Sequence, residues 1–276
     1  RKPAKIEAGK VGYYRDDGLL TGLTIGALRP HVAEQDNTEM RRTGLLRSLG
    51  SSIINRRMRR QVEQGTAPYL SADVSLYTMD GIVDGMVASV RSAPDKWEAS
   101  LAAADMDIRQ VIQYGFSQAE LDEQIANRRR ALNTAVERMN SGKTNSYASR
   151  IIDAFDEERV FTSPTDNLAI FEAAVKDITL EEVEAQLRKD WKGHEAPAIY
   201  LETEKQIDDA PAKIKAAFAV ARQAKVAEPV FSEKQEFLYT DFGKAGNVAS
   251  DIYMKDADAH LVKFANNVRL NFKKTD

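Results

Sequence analysis

The sequence predicts an α+β fold: a two-layer, largely antiparallel sheet covered on one face by several helices. Three observations predict it. Alternating strand segments flank one long amphipathic helix early in the chain, about a hundred residues of helical periodicity follow, and a further strand and helix then close the core, which segregates helices from sheet. The 276 residues, 43% hydrophobic and 29% charged, are enough to bury a sizeable core and exclude an intrinsically disordered chain. The absence of cysteine excludes a disulfide scaffold, a cysteine-ligated metal and a Cys nucleophile. With 39 basic against 42 acidic residues there is no global field to attract nucleic acid or anionic lipid.

Taken in order, Lys10 to Arg15 reads as a first strand and Thr21 to Leu28 as a second, because Leu23, Ile25 and Ala27 alternate with Thr24, Gly26 and Leu28. From Thr38 the period changes. Leu45, Leu49, Ile53 and Met58, flanked by Leu46, Ile54 and Val62, form one apolar helical stripe, and the opposite face holds Arg41, Arg42, Arg47, Arg56, Arg57, Arg59 and Arg60. Gly65 and Pro68 stop that helix before a strand over Tyr69 to Thr78, and Asp80-Gly81 joins it to Ile82 to Val90 as a hairpin. Asp95 to Tyr114 is helical. Ser117-Gln-Ala-Glu120 is a capping box, in which the Ser hydroxyl takes the backbone N–H three residues on and the Glu carboxylate returns to the Ser N–H; it opens a helix to about Asn140. Ser141-Gly142 breaks it. Helices follow over Thr144 to Arg159, after Ser163-Pro164, and from the second capping box, Thr179-Leu-Glu-Glu182, to about Trp191. Pro197 to Thr203 reads as a buried strand and Asp208 to Ala224 as the closing helix.

Residues 1–224 therefore close one core. Residues 225–259, with Pro229, Gly243 and Gly246 and weak periodicity, read as a linker. Residues 260–276 read as a hairpin turning at Asn266-Asn267, with little to pack against. Arg1-Lys2-Pro3 without a Met, and an end at Thr275-Asp276 directly after an alternating run, suggest a segment of a longer chain. No stretch approaches ~18 consecutive apolar residues, so no membrane-spanning segment is expected, and no leader is in view.

Candidate chemistry is sparse. His31-Val-Ala-Glu34-Gln35 has the spacing of a helical zinc motif with the last His replaced by Gln, but it follows Pro30 in a strand-to-helix turn and reads as a solvated loop. His194 reads as a polar residue after a helix end and His260 as part of the linker. Arg56-Arg57-Met58-Arg59-Arg60 suits a helix C-terminus, where cations oppose the dipole, and Arg128-Arg129-Arg130 reads as charge-paired with Glu120, Asp122 and Glu123. Adjacent carboxylates such as Asp16-Asp17, Glu157-Glu158 and Asp208-Asp209 share no helix face and carry no acid–base signal. There is no glycine-rich phosphate loop and no Gly-x-Ser-x-Gly elbow. Tyr69, Tyr77, Trp97, Phe155, Phe171 and Trp191 are expected in the core.

Four places resemble the insulinase-like (M16) zinc peptidases and the mitochondrial processing peptidases. They are Arg57-Met58 with Gly65-Thr-Ala-Pro-Tyr69-Leu-Ser-Ala, Gly115-Phe-Ser-Gln-Ala-Glu-Leu121, Asp177-Ile-Thr-Leu-Glu-Glu-Val183 and Phe264-Ala-Asn-Asn-Val-Arg-Leu270. The resemblance implies that residues 1–224 are one non-catalytic repeat and residues 260–276 the first hairpin of the next. It also implies a role as chamber wall and scaffold in an endopeptidase acting on unfolded peptides. Partners would then be the other repeats of a longer parent chain and its peptide substrate, with no nucleic acid. The family's zinc site is His-x-x-Glu-His plus a downstream Glu. Here only His31, His194 and His260 occur, none one helical turn from another, so no catalytic or metal residue is assigned, no substrate-binding residue is singled out, and zinc is expected only on an upstream repeat. Bacterial relatives suggest a periplasmic location, with the cytoplasm as alternative. A non-enzymatic core-type subunit or interaction module of the same fold is the competing function.

Overall fold

The computed structural model describes residues 4–79, 81–141, 144–156, 158–230, 241 and 243–274. Asp80, Gly142, Glu157 and the chain ends singled out above lie outside these residues. The chain divides into two compact units, Arg1–Phe231 and Ser232–Asp276.

The first unit contains strands β1 (Val11–Arg15), β2 (Gly22–Pro30), β3 (Ser71–Met79), β4 (Val83–Arg91) and β5 (Ala198–Thr203). Its helices are α1 (Thr38–Glu63), α2 (Trp97–Tyr114), α3 (Gln118–Glu137), α4 (Thr144–Asp156), α5 (Pro164–Val175), α6 (Leu180–Asp190) and α7 (Ala210–Gln223). The five strands form one sheet in the order β1-β5-β2-β4-β3; β1 and β5 are parallel and every other neighbouring pair is antiparallel. An α+β fold with a largely antiparallel sheet is therefore what the chain adopts.

Period-2 alternation decides which side of the sheet is covered. Leu23, Ile25 and Ala27 stand opposite Val90, Ala88 and Met86 of β4, and Leu23 and Ile25 also stand opposite Leu201 and Ile199 of β5. All are buried against Leu49, Ile53, Ile54 and Met58 of α1, Leu101, Ala104 and Ile108 of α2, and Ile214 of α7. Each leucine, isoleucine, valine or methionine among them contributes roughly 1.5–3 kcal/mol by leaving water. The other face holds residues of opposite parity, and Tyr77, expected in the core, is one of them. It shares that face with Asp73 and Ser75, whereas Val74 turns to the helices. Phe155 is the second aromatic correction, at 82% exposure. With Ala148, Ile151 and Ile152 it makes a true amphipathic stripe on α4, but the period says only that a face is apolar and not that anything covers it. Tyr69, Trp97, Phe171 and Trp191 are buried as expected.

Local signals place the helices. Asn37 caps α1 by accepting from the Met40 N–H at 2.9 Å. At its far end the Gly65 N–H donates to the Val62 carbonyl and the Thr66 N–H to Gln61, a Schellman pair that needs the left-handed φ of 69° glycine supplies. Both predicted capping boxes form, at Ser117/Glu120 and Thr179/Glu182, and a third, unpredicted, forms at Ser163/Asp166.

The second unit is a three-stranded antiparallel sheet of β6 (Val248–Met254), β7 (Ala259–Phe264) and β8 (Arg269–Phe272). Asn267 turns the β7–β8 hairpin at φ 68°. Two expectations are corrected. The presumed linker contains β6, which escaped notice because every residue of it is exposed and no apolar alternation marks it. His260 lies inside β7, with its Nδ1 2.9 Å from Asp251 Oδ1 across the ladder. Ile252, Tyr253, Leu270 and Phe272 remain exposed, and Leu261, Val262 and Phe264 are only half-buried.

Candidate peptide-binding groove

α1 has three faces. Its apolar stripe enters the core and its arginines form a second face. The third carries small polar residues, Gly44, Ser48, Ser51, Ser52 and Asn55, at spacings of three and four. That third face floors a groove of about 1190 Å³. One side is the outer edge of β3 at Val74, Ser75 and Leu76; the other is built by Arg128 of α3, Arg150 and Ala154 of α4, the 159–162 loop and Ile170 of α5. The volume exceeds the ~300–1,000 Å³ typical of small-molecule pockets.

β3 is an edge strand: among the described strands it pairs with β4 alone. Asn55 reaches it from α1: its Nδ2 donates to the Val74 carbonyl at 3.0 Å, and its Oδ1 accepts from the Val74 N–H at 2.6 Å. Both polar groups of Val74 therefore point away from β4. In an antiparallel ladder this orientation repeats every second residue, so the backbone groups of Leu76 and Thr78 face outward as well. The groove begins beside Asn55 and reaches Leu76.

Ion pairs hold α1 in place along the groove. Arg41 grips Asp36 through two bonds of 2.7 and 2.6 Å and donates to the Val160 carbonyl at 2.8 Å, tying in the 159–162 loop. Asp36 also accepts from the Val160 N–H, and the Arg41 guanidinium is the main cause that lowers its pKa to about 2. Arg42 meets Glu182 at 3.0 and 2.9 Å, which holds that capping-box carboxyl below the usual range, and Arg47 meets the buried Asp190 at 2.8 and 3.0 Å. Arg57 grips Glu120 at 2.7 and 2.8 Å and Arg56 meets Glu123 at 2.8 Å. Glu120 and Glu123 are thus taken by α1, and Arg129 pairs instead with Glu172 of α5 at 2.6 and 3.0 Å, because the contest is won between helices rather than along one. Arg150 lies 5.5 Å from the Phe161 ring and donates to the Thr162 carbonyl.

The histidines stand apart. His31 is in the loop after β2, with Nδ1 2.9 Å from Asp84 Oδ2; His194 is in the turn after α6, its Nδ1 3.1 Å from the Trp191 carbonyl; His260 belongs to the other unit. Among the described residues no group of three His, Asp or Glu side chains gathers as a metal site. No helix among them is long and apolar enough to cross a membrane.

Along 98% of its length the chain superposes, with a TM-score of 0.71 and 16% identity, on 31% of the periplasmic protease PqqL from Escherichia coli. The separately solved first half of that protease matches 80% of this chain and 48% of its own at a TM-score of 0.70 and 16% identity. A peptidase M16 inactive domain from Pseudomonas fluorescens matches 75% of this chain and 46% of its own at a TM-score of 0.52, again with 16% identity. This chain has the M16 peptidase fold. It spans about a third of the length of PqqL. No protein-family model matches it, and no curated protein matches it in sequence. The M16 fold implies zinc, yet this chain's residues do not fit that ion: zinc would need two imidazoles on one helical turn, and none of the three lies on a helix.

In the sequence, Asn55 and the serine face of α1 carry neither the hydrophobicity nor the charge that marks the helix's apolar stripe and its arginines. Their spacing was the available signal.

Proposed function

We propose that this chain is a non-catalytic repeat of a zinc-dependent, M16-like endopeptidase, forming part of the chamber wall that holds unfolded peptides while an upstream repeat supplies the zinc. The observation that carries the reading is the groove: about 1190 Å³ of space beside an edge strand whose Leu76 and Thr78 backbone groups face outward. An unfolded peptide carries unpaired N–H and C=O groups, and an edge strand pairs with them without regard to sequence. A folded protein has most of these groups paired internally, so the wall favours unfolded chains. In this reading the β6–β8 sheet begins a following repeat, whose further elements cover Ile252, Leu270 and Phe272. The periplasmic description of PqqL supports a periplasmic location for this chain also.

The test is fluorescence anisotropy with a labelled, reduced and carboxymethylated polypeptide. Saturable binding is expected, weakened at least about ten-fold by Ser51→Trp, which fills the floor of the groove. Equal binding by the parent and Ser51→Trp chains would move the peptide site elsewhere.

A further inference from the structure

We propose that Asn55 sets the register in which a peptide pairs with β3, acting as a one-residue surrogate strand that ends the pairing at Val74. The inference rests on the groove being a peptide site. A primary amide carries an N–H donor and a C=O acceptor side by side, as a strand does, and Asn55 spends one N–H and its C=O on a single residue, Val74. An incoming strand would need those same two groups. It can therefore pair with Leu76 and Thr78, but it must stop where Asn55 begins. The groove's lining agrees: on α1 it runs from Thr38 to Asn55 and on β3 it covers Val74, Ser75 and Leu76, which puts Asn55 at one end of it. Asn55 is half-buried, directly after the core residues Ile53 and Ile54 and one turn before Met58, whose burial fixes its helix against the sheet.

The consequence is directional. A peptide end, or a bend in the peptide, falls at Asn55, and the bound stretch is confined to the part of β3 on the Leu76 side. Asn55→Ala frees the Val74 N–H and C=O and lengthens the paired stretch by one residue pair. Asn55→Asp keeps an acceptor for the Val74 N–H but cannot donate to its carbonyl, so it frees half of the position.

The experiment uses the 276-residue chain, a fluorescein-labelled peptide of alternating serine and valine, and residue-resolved amide hydrogen exchange with and without peptide. With the unaltered chain, peptide should protect the Leu76 and Thr78 amides and leave Ala72 unchanged. With Asn55→Ala, the Val74 amide should exchange faster in the free chain, become protected when peptide is added, and the affinity should rise by about ten-fold for two added hydrogen bonds. Asn55→Asp should fall between. Circular dichroism of each variant establishes that it is folded. Protection of Ala72 by peptide in the unaltered chain, or a folded Asn55→Ala variant with unchanged affinity and register, would overturn the role given to Asn55 while leaving the groove as a peptide site. No binding to the unaltered chain would overturn both.

Discussion

Glu120 is where cap, ion pair and core meet, so its replacement has a calculable cost. Its carboxylate accepts from the Ser117 N–H at 2.9 Å and grips Arg57 at 2.7 and 2.8 Å. Glu120→Ala leaves the Ser117 hydroxyl on the residue-120 N–H but removes the return bond to the Ser117 N–H, for about 0.5–1.5 kcal/mol. Arg57, whose side chain is only 18% exposed, then loses its carboxylate, for about 1–3 kcal/mol more. The figure stays below the ~3–5 kcal/mol of a fully buried broken pair because Arg57 still donates to the Gly115 carbonyl at 3.2 Å and lies 5.4 Å from the Phe116 ring. Glu120→Ala should therefore cost about 2–4 kcal/mol, and Glu120→Gln, which keeps an acceptor for the cap, about 1–2 kcal/mol. Burial alone would raise the Glu120 pKa, but the hydrogen bonds from Arg57 and Ser117 outweigh it and hold the carboxyl below its ordinary 4.5. A carboxyl with a depressed folded pKa stabilises the fold above its unfolded pKa and loses that contribution as pH falls through the folded one. The gap between parent and Glu120→Gln should be full at neutral pH and close in acid below the Glu120 pKa. Urea unfolding followed by tryptophan fluorescence measures it, since the chain's two tryptophans, Trp97 and Trp191, are both buried in the first unit. A Glu120→Ala cost under about 0.5 kcal/mol, the size of an ordinary surface substitution, would refute this coupling of cap to α1.

Met58→Ala, at a fully buried position of α1, should cost about 2–5 kcal/mol, while Phe155→Ala on the exposed stripe of α4 should stay within about 0.5 kcal/mol by the same unfolding measurement. Asp36 should titrate at about 2 in carbon-detected NMR, and because that pKa is depressed, its hold on Arg41 and Val160 should persist above the ordinary carboxylate range and fade as pH falls toward 2. Asp36→Asn should speed exchange at the Val160 amide at neutral pH; unchanged exchange there would show that the 159–162 loop is held by something else.

How far the sequence could be read depended on whether a signal was local. The boxes at Ser117 and Thr179 are closed within four residues and were correct to the residue, and the alternation of Leu23, Ile25 and Ala27 named the buried face of β2. Ser163-Pro164 was noticed for its proline, while the Asp166 that completes the box went unremarked because Asp is the less usual third-position partner. β6 failed for the opposite reason: an exposed strand has no period to read. Tyr77 and Phe155 show that hydrophobic type does not decide which side of an element is covered. Partners were least readable of all. Arg57 with Glu120, Arg129 with Glu172 and Asn55 with Val74 each join separate elements, and Asn55 with Val74 forms the end of the groove. Charge counting along one helix gave Arg129 the wrong carboxylates because it could not see α5.

The central claim is that this chain holds unfolded peptide without cutting it. The most direct measurement incubates the purified chain at stoichiometric concentration with a reduced, carboxymethylated polypeptide and added zinc, and reads binding and mass-spectrometric integrity from the same sample. Saturable binding that Ser51→Trp weakens is expected, with the polypeptide intact at every time. Zinc-dependent, chelator-sensitive cleavage by this chain alone would contradict it.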